Sequence, residues 1–214
     1  MPNNYFYVDG SSLVAQIKRV WSKQGTYKNR KLILANFVSY FISQRFQSYT
    51  GGNYKRFVFY FPLGGNEHKE YIVFPNRKIA SGNEDDIQVL MCGKKVPKLS
   101  GYSELETYVN KKHPNLKDVI RRAEKGVDTQ ICCDAMQLAA AGKLDRLFLC
   151  TNDSDFLPLI KVLKTMGSNV NIFHLSSDTK LEESLAIERD AYHFVDNASL
   201  ENIFEPAVVR ATKH

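Results

Sequence analysis

A short polar turn between two apolar segments constrains the fold of this chain most strongly. It spans residues 151–155, Thr-Asn-Asp-Ser-Asp. Residues 146–150 before it are mostly apolar, which is typical of a strand covered on both faces, and residues 156–163 repeat apolar side chains at helical spacing. In an open α/β sheet, ligands bind at such strand-to-helix turns. Because Asp153 and Asp155 repel each other unless a cation or a proton lies between them, the turn predicts a binding site.

The rest of the chain repeats this alternation of strand and helix patterns. Strands are predicted at residues 5–8, 57–61, 146–150, 170–173 and 192–195, and a longer helix at residues 32–47. The pattern predicts an α/β fold with a mostly parallel central sheet flanked by helices. We expect a single domain over residues 1–206 and a loose tail at residues 207–214.

Residues 66–118 predict a basic, β-containing insertion within that domain. Short strands are expected at residues 70–74 and 87–91, a hairpin turn at 93–95 and a short helix at 103–112. Basic residues alternate there with tyrosine and phenylalanine, as they do in proteins that bind single-stranded nucleic acid. A solvated insertion is the alternative interpretation.

The net charge of +6 conceals an asymmetry along the chain. Residues 1–125 carry 21 Lys and Arg against 10 Asp and Glu, whereas residues 126–214 carry 8 against 13. A basic surface beside an acidic centre suits a protein that attracts a polyanion and holds a metal against it. Charge alone favours the alternative interpretation, a solvated, lysine-rich surface.

Composition argues against a membrane protein and against a disulfide-stabilised one. No apolar run approaches the ~20 residues that span a bilayer, and the amino terminus lacks a signal-peptide pattern. The four cysteines include no Cys-x-x-Cys pair, and adjacent Cys132 and Cys133 do not suggest a disulfide framework. We therefore expect a cytoplasmic protein that does not interact with a membrane.

Further aspartates occupy positions like those of the polar turn. Asp9 follows the first predicted strand and precedes a helix that Ser11 or Ser12 is expected to cap through its hydroxyl. Asp128 begins the helix predicted for residues 128–141, where it is either a helix cap or a ligand. Asp134 lies on that helix among apolar neighbours, and a buried aspartate needs a partner.

Asp9, Asp128, Asp153 and Asp155 are predicted to meet at one edge of the parallel sheet. Clustered carboxylates without His or Cys ligand spacing favour a hard cation, Mg²⁺ or Mn²⁺. Such a cation could polarise a phosphoryl oxygen, lower the pKa of an attacking water and stabilise the leaving oxygen. The five histidines lack ligand spacing, and we expect them to be structural or on the surface.

Three motifs in this order resemble those of the NYN domain, the PIN-like ribonuclease family that includes LabA-type proteins. They are Val-Asp-Gly-Ser-Ser at residues 8–12, Lys-Gly-Val-Asp at 125–128 with Asp134, and Thr-Asn-Asp-Ser-Asp-Phe-Leu-Pro at 151–158. The ending also looks similar, with Ser184-Leu185 and the segment 191–194. Together these motifs cover most of residues 5–196.

The resemblance implies a Rossmann-like PIN fold and a metal-dependent endoribonuclease. It makes the four aspartates of the edge both catalytic and metal-binding, and it implies supporting roles for Asp134, Ser12, Thr151 and Asn152. Ser12 stands where the family commonly has Asn, and Asn152 stands where it commonly has Gly. Phosphate contacts are expected from a set of basic residues: Lys125, Arg121, Arg122, Lys94 and Lys95.

Two other functions fit the same sequence. One is a catalytically weak or inactive RNA-binding regulatory module of the same fold, which the polar substitutions Ser12 and Asn152 favour. The other is a small phosphatase, in which Asp153 and Asp155 mimic an aspartate pair, although no Asp-x-Asp motif surrounds Asp9. RNA, single-stranded or structured, is the expected partner. The sequence leaves open whether the chain forms a homo-oligomer.

Overall fold

The computed structural model describes residues 2–41, 55–63, 68–74, 87–97, 111, 122–176 and 180–207, and only the backbone of residues 94–97 and 122–125. The strands are β1 (Asn4–Asp9), β2 (Leu32–Ile33), β3 (Arg56–Leu63), β4 (Ile72–Val73), β5 (Ile87–Pro97), β6 (Arg122–Lys125), β7 (Arg146–Cys150), β8 (Asn169–His174) and β9 (Ala191–Phe194). The helices are α1 (Gly10–Lys23), α2 (Leu34–Tyr40), α3 (His68–Tyr71), α4 (Val127–Ala140), α5 (Leu157–Thr165), α6 (Glu183–Glu188) and α7 (Leu200–Ile203). Short 3₁₀ turns occupy Gly25–Tyr27 and Ser154–Phe156.

Within the described residues, seven strands form one sheet in the order β6-β5-β3-β1-β7-β8-β9. Neighbouring strands are parallel except β5 and β6. The chain runs outward from β1 through β3 to β5 and β6, and then returns to the opposite side of β1 as β7. The strand order therefore reverses between β1 and β7, which makes their carboxyl ends the topological switch point. The predicted α/β fold with a mostly parallel sheet is confirmed.

Successive side chains of each strand point to opposite faces of the sheet, and both faces are buried. Phe6 and Val8 of β1 belong to the core that includes residues of α1, α2 and α7, whereas Tyr7 belongs to the core that includes residues of α4, α5 and α6. Phe6 stacks between Phe57 and Phe148, with ring centroids 4.6 and 4.4 Å apart. These contacts across β3, β1 and β7 fix the central strands whose ends carry the polar residues. No helix in the described part of the chain combines the length and the apolar character that crossing a membrane requires.

Two predicted elements near the separate β2–β4 pair are wrong in part. Residues Leu32–Ile33 form β2, and the helix predicted from residue 32 begins only at Leu34. The strand predicted for residues 70–74 is instead the end of α3 followed by Ile72–Val73, which pairs with β2. In both places pairing between two short segments, rather than periodicity, decides which residues are extended. The predicted helix beyond residue 41 lies outside the described residues.

The hairpin turn predicted at residues 93–95 is wrong. β5 continues to Pro97, because it pairs with β3 on one side and with β6 on the other. Gly93 has a φ of 63° and lies where the β3–β5 register shifts, between the pairs Pro62–Cys92 and Leu63–Lys94. The stretch that the sequence suggests as an insertion therefore supplies a strand of the main sheet. Apart from Lys111, the helix predicted at residues 103–112 lies outside the described residues.

The carboxyl-terminal segment is held to the domain by a paired arginine. Arg30 is only 6% exposed, and its two terminal nitrogens donate to Glu201 at 2.7 and 2.9 Å. Its Nε atom also donates to the backbone carbonyl of Glu205. Arg30 therefore anchors α7 and the segment that follows.

The pairing of Arg30 with Glu201 is expected to make the stability of the fold fall in acid. Hydrogen bonds from Arg30 lower the pKa of Glu201 below its usual 4.5, so the unfolded chain binds this proton more readily than the folded one does. The resulting stabilisation is present above pH 4.5 and is lost as the pH falls through the lowered pKa. In urea titrations, we expect the stability difference between the wild type and Glu201→Gln to be larger at neutral pH than in acid. A difference that is constant with pH would contradict this account.

Candidate active site

The candidate site begins where two central parallel strands end. β1 ends at Asp9, and β7 ends at Cys150, one residue before the polar turn. Val8 pairs with Cys150 in the parallel register, so Asp9 and Thr151 follow from neighbouring positions at the same edge. Residues 142 apart in sequence thus meet at the switch point, where doubly wound sheets bind their ligands.

Asp9 caps α1 and contacts the polar turn at the same time. It is 5% exposed, and its Oδ1 atom accepts hydrogen bonds from the backbone N–H groups of Ser11 at 3.0 Å and Ser12 at 3.2 Å. The expected capping by a serine hydroxyl is wrong, because the carboxylate immediately before the first helical residue reaches both amides. The Oδ2 atom accepts a hydrogen bond from the hydroxyl of Thr151 at 3.4 Å. One side chain therefore joins the start of α1 to the end of β7.

Thr151 organises the turn from a fully buried position. Its hydroxyl donates to Asp9 and accepts the backbone N–H of Asp153 at 3.1 Å. The Oδ1 atom of Asp153 accepts the backbone N–H of Asp155 at 2.9 Å, which caps the 3₁₀ turn that follows. A chain of hydrogen bonds thus runs from Asp9 through Thr151 and Asp153 to the amide of Asp155.

Ser12 and Asn152 link the turn to two other segments. The hydroxyl of Ser12 accepts the backbone N–H of Asn152 at 3.2 Å. The side-chain oxygen of Asn152 accepts the backbone N–H of Glu182 at 2.8 Å, and Glu182 caps α6. A glycine at position 152 would lack this oxygen, so Asn152 has a structural use in this chain.

Asp128 lies in the first turn of α4, and its carboxylate interacts electrostatically with the polar turn. Burial raises the pKa of Asp128, and the negative charges of Asp153 and Asp155 raise it further. The residue that caps α4 is Gly126, with a φ of 96°, so Asp128 is not the cap. A β-carbon at residue 126 would lie 3.1 Å from the α-carbon of Gly93. Glycine at both positions lets the β5 bulge lie close to the start of α4, next to Asp128.

Asp134 lies six residues, or about one and two-thirds turns, further along α4 and has other partners. Its Oδ2 atom accepts the hydroxyl of Tyr60 at 2.9 Å, and its Oδ1 atom accepts the side-chain amide of Gln130 at 2.8 Å. Burial raises the pKa of Tyr60, and the charges of Tyr7 and Asp134 raise it further. Asp134 is only partly buried, and its partner on β3 is the buried Tyr60.

We expect Tyr60→Phe to lower the free energy of unfolding by about 1.5–3 kcal/mol, because the lost hydroxyl bonds to a charged group in a buried position. Tyr40→Phe is a matched control, since the Tyr40 hydroxyl donates to Asp196 at the same distance, 2.9 Å, away from the polar turn. Urea denaturation of both variants measures the stability change, and RNA cleavage is measured in parallel. Loss of cleavage in Tyr60→Phe without loss of stability would contradict a structural role for this contact.

The basic residues expected to bind phosphate are partly brought together by the backbone. β5 and β6 pair Lys94 with Lys125, Lys95 with Glu124 and Pro97 with Arg122. Arg121 lies outside the described residues. The ribbon of β5 and β6 enters α4 directly through Gly126, so this basic segment adjoins the helix that carries Asp128.

Sequence patterns did not identify two buried side chains that contact the turn and its neighbours. The imidazole of His174, at the end of β8, lies 2.7 Å from the backbone oxygen of Thr151. Gln16 of α1 donates to the hydroxyl of Ser12 at 3.4 Å and accepts the backbone N–H of Leu175 at 2.7 Å. The signal available for His174 was its place: it is a polar residue directly after the predicted strand 170–173.

The chemistry of the four aspartate side chains suits a divalent cation. All donors are carboxylate oxygens, which hard cations prefer. Among the side chains that the structure describes, no Lys or Arg forms an ion pair with Asp128, Asp153 or Asp155. However, no three His, Cys, Asp or Glu residues of the described chain form a group that could hold a metal ion as the side chains stand. Asp9 lies beside the polar turn at the end of β1, and Asp128 interacts electrostatically with Asp153 and Asp155.

The NYN domain family model matches residues 66–198 of the chain. The matched range includes Asp128, Asp134 and the polar turn, whereas Asp9 and Ser12 precede it. Asp9 therefore enters the candidate site through the parallel pairing of β1 with β7. Residues 66–118 also fall within the match.

Comparison with curated proteins finds no match. Among solved structures, the chain is similar to a protein of unknown function, VPA0982, from Vibrio parahaemolyticus. The TM-score is 0.49 at 11% sequence identity, over 95% of this chain and 96% of that chain. A likeness at this level establishes no function.

Proposed function

We propose that this chain, which belongs to the NYN domain family, is a metal-dependent endoribonuclease that hydrolyses RNA phosphodiester bonds. The family is one of PIN-like nucleases, which generally use divalent metals and typically bind RNA. The observation that supports the proposal most strongly is the link between Asp9 and Asp153 through the hydroxyl of Thr151, at the switch point of the sheet.

Asp9, Asp128, Asp153 and Asp155 would hold Mg²⁺ or Mn²⁺. When bound, the cation would polarise the scissile phosphate and neutralise charge that develops on the leaving oxygen. The chain itself orients the carboxylates: Thr151 bonds to Asp9 and to the amide of Asp153, and α1 fixes the other oxygen of Asp9. Ser12 and Asn152 hold the turn against α1 and α6, and Asp134 supports α4 through Tyr60.

Lys94, Lys95, Arg121, Arg122 and Lys125 are proposed to contact the RNA backbone. The pairing of β5 with β6 and its continuation into α4 support this assignment for the four residues within the described strands. Contacts to phosphates position a strand without reading its sequence. The proposal therefore predicts binding that weakens steeply with salt.

We propose a cytoplasmic location. All four cysteines lie in the described part of the chain and none forms a disulfide, as suits a reducing compartment. A homo-oligomer is compatible with this location and with the proposed activity.

Purified protein incubated with labelled single-stranded RNA, and in parallel with DNA, tests the proposed function. We expect RNA cleavage with Mg²⁺ or Mn²⁺ and none with EDTA, and slower cleavage of DNA. Cleavage that persists in EDTA would contradict the mechanism.

The second candidate is an RNA-binding regulatory module without catalytic turnover. The arrangement of the described carboxylates supports it, because no group of three could hold a metal ion as placed. It predicts salt-dependent RNA binding in the same assay, with no cleavage under any metal condition.

A further inference from the structure

A histidine that the proposed reaction does not use lies directly behind the polar turn. His174 is fully buried at the carboxyl end of β8, the strand next to β7. Its Nε2 atom lies 2.7 Å from the backbone oxygen of Thr151, and its Nδ1 atom lies 2.9 Å from the hydroxyl of Tyr192 on β9. The imidazole therefore bridges Tyr192 of β9 to the first residue of the turn.

The partners define which nitrogen carries the proton. A backbone carbonyl only accepts hydrogen bonds, so Nε2 donates to Thr151. In the neutral imidazole Nδ1 then accepts, and the Tyr192 hydroxyl donates to it. Burial raises the pKa of Tyr192 to about 12, so this hydroxyl keeps its proton at neutral pH. The orientation of the ring is thus fixed from both sides.

The residue that His174 holds is the one that joins the two aspartates. The hydroxyl of Thr151 donates to Asp9 at 3.4 Å and accepts the amide of Asp153 at 3.1 Å. Both bonds depend on where the backbone of Thr151 lies, because its branched side chain has few rotamers. A shift of this carbonyl therefore moves the Thr151 hydroxyl relative to both Asp9 and Asp153.

The end of β8 has a second, independent attachment. Gln16 accepts the backbone N–H of Leu175 at 2.7 Å, and Leu175 is fully buried. Removal of the imidazole therefore leaves the strand end tied to α1. The expected effect of such a variant is local to the turn rather than a loss of the sheet edge.

We propose that His174 is a positioning residue of the candidate site, which fixes Thr151 and through it the geometry of Asp9 and Asp153. The inference deepens the proposed ribonuclease function and rests on it for its effect on rate. Its structural part, the ordering of the turn, does not depend on catalysis.

Three variants and one control test the proposal. His174→Leu removes both hydrogen bonds, His174→Gln keeps an N–H donor that reaches toward Thr151, and Tyr192→Phe removes only the bond to Nδ1. Val170→Ala is the control, because Val170 is fully buried at the opposite end of the same strand. It lowers stability by creating a cavity far from the turn.

The first readout is hydrogen exchange of the backbone amides of Asp153 and Asp155, which needs no activity. These amides bond to Thr151 Oγ1 and to Asp153 Oδ1. We expect His174→Leu to speed their exchange about tenfold relative to Val170→Ala, and Tyr192→Phe to speed it by a smaller factor of about three. Equal exchange in His174→Leu and Val170→Ala would overturn the proposal.

The second readout is the separation of kcat from KM for RNA. We expect kcat to fall about 100-fold in His174→Leu with little change in KM, because misplacement of catalytic groups affects the reacting geometry. His174→Gln should recover most of this rate, and Val170→Ala should retain it. A His174→Gln variant as slow as His174→Leu would overturn the role of the donor. If the wild type cleaves no RNA, the proposed function fails, and the exchange data alone decide whether His174 orders the turn.

Discussion

Asp153→Asn is expected to lower metal-dependent RNA cleavage by at least about 100-fold, because it removes charge from the group proposed to hold the cation. The fold should change little. The amide oxygen of asparagine can still accept the backbone N–H of Asp155, which bonds to Asp153 at 2.9 Å. A single-turnover assay with labelled RNA measures the rate, and thermal unfolding measures the stability.

A double variant, Asp153→Asn with Asp155→Asn, should remove the remaining activity. Asp145→Asn is the matched control, since Asp145 is exposed and lies directly before β7, at the opposite end of the same strand. We expect the control to cleave at the wild-type rate. Equal rates in Asp153→Asn, the double variant and the control would exclude the polar turn from the reaction.

Gly10→Ala is expected to reduce the free energy of unfolding by about 3 kcal/mol or more, because the added methyl group has no space. It would lie 2.2 Å from a ring carbon of Phe61 and 2.6 Å from the backbone oxygen of Tyr60. Phe61 is 1% exposed and its ring packs against His68 and Phe74, so a shift of the ring disturbs both contacts.

The same substitution should also slow cleavage, since Gly10 directly follows Asp9. Gly25→Ala provides the control: a β-carbon at residue 25 meets no atom within 4 Å. Urea denaturation should find Gly25→Ala within about 1 kcal/mol of the wild type. Similar stabilities of the two alanine variants would show that α1 can move away from β3 without cost.

The fold was predictable from the sequence mainly where burial and local preference agree. β1, β3, β7 and β8 are short, mostly apolar runs, and each is largely buried in the sheet. The predictions failed where a distant partner decides the conformation. Gly93 resembles the centre of a hairpin turn, yet pairing with β3 and β6 keeps that segment extended with a bulge.

The candidate site was predictable in its charges but not in its connections. Asp9, Asp128, Asp153 and Asp155 stand out because each lies beside a predicted strand or helix end. The bonds that orient them join residues far apart, such as Thr151 with Asp9 and Asn152 with Ser12, 140 or more positions away. His174 is missed for the same reason, because its role depends on a neighbouring strand and a backbone oxygen.

Crystals soaked in Mn²⁺, with anomalous diffraction recorded, test the central claim most directly. The account predicts a manganese ion at the carboxyl ends of β1 and β7. Oxygens of Asp9, Asp153 and at least one of Asp128 and Asp155 should approach it to about 2.0–2.6 Å. Manganese bound only elsewhere, or no manganese near these aspartates at saturating Mn²⁺, would contradict the proposed metal site.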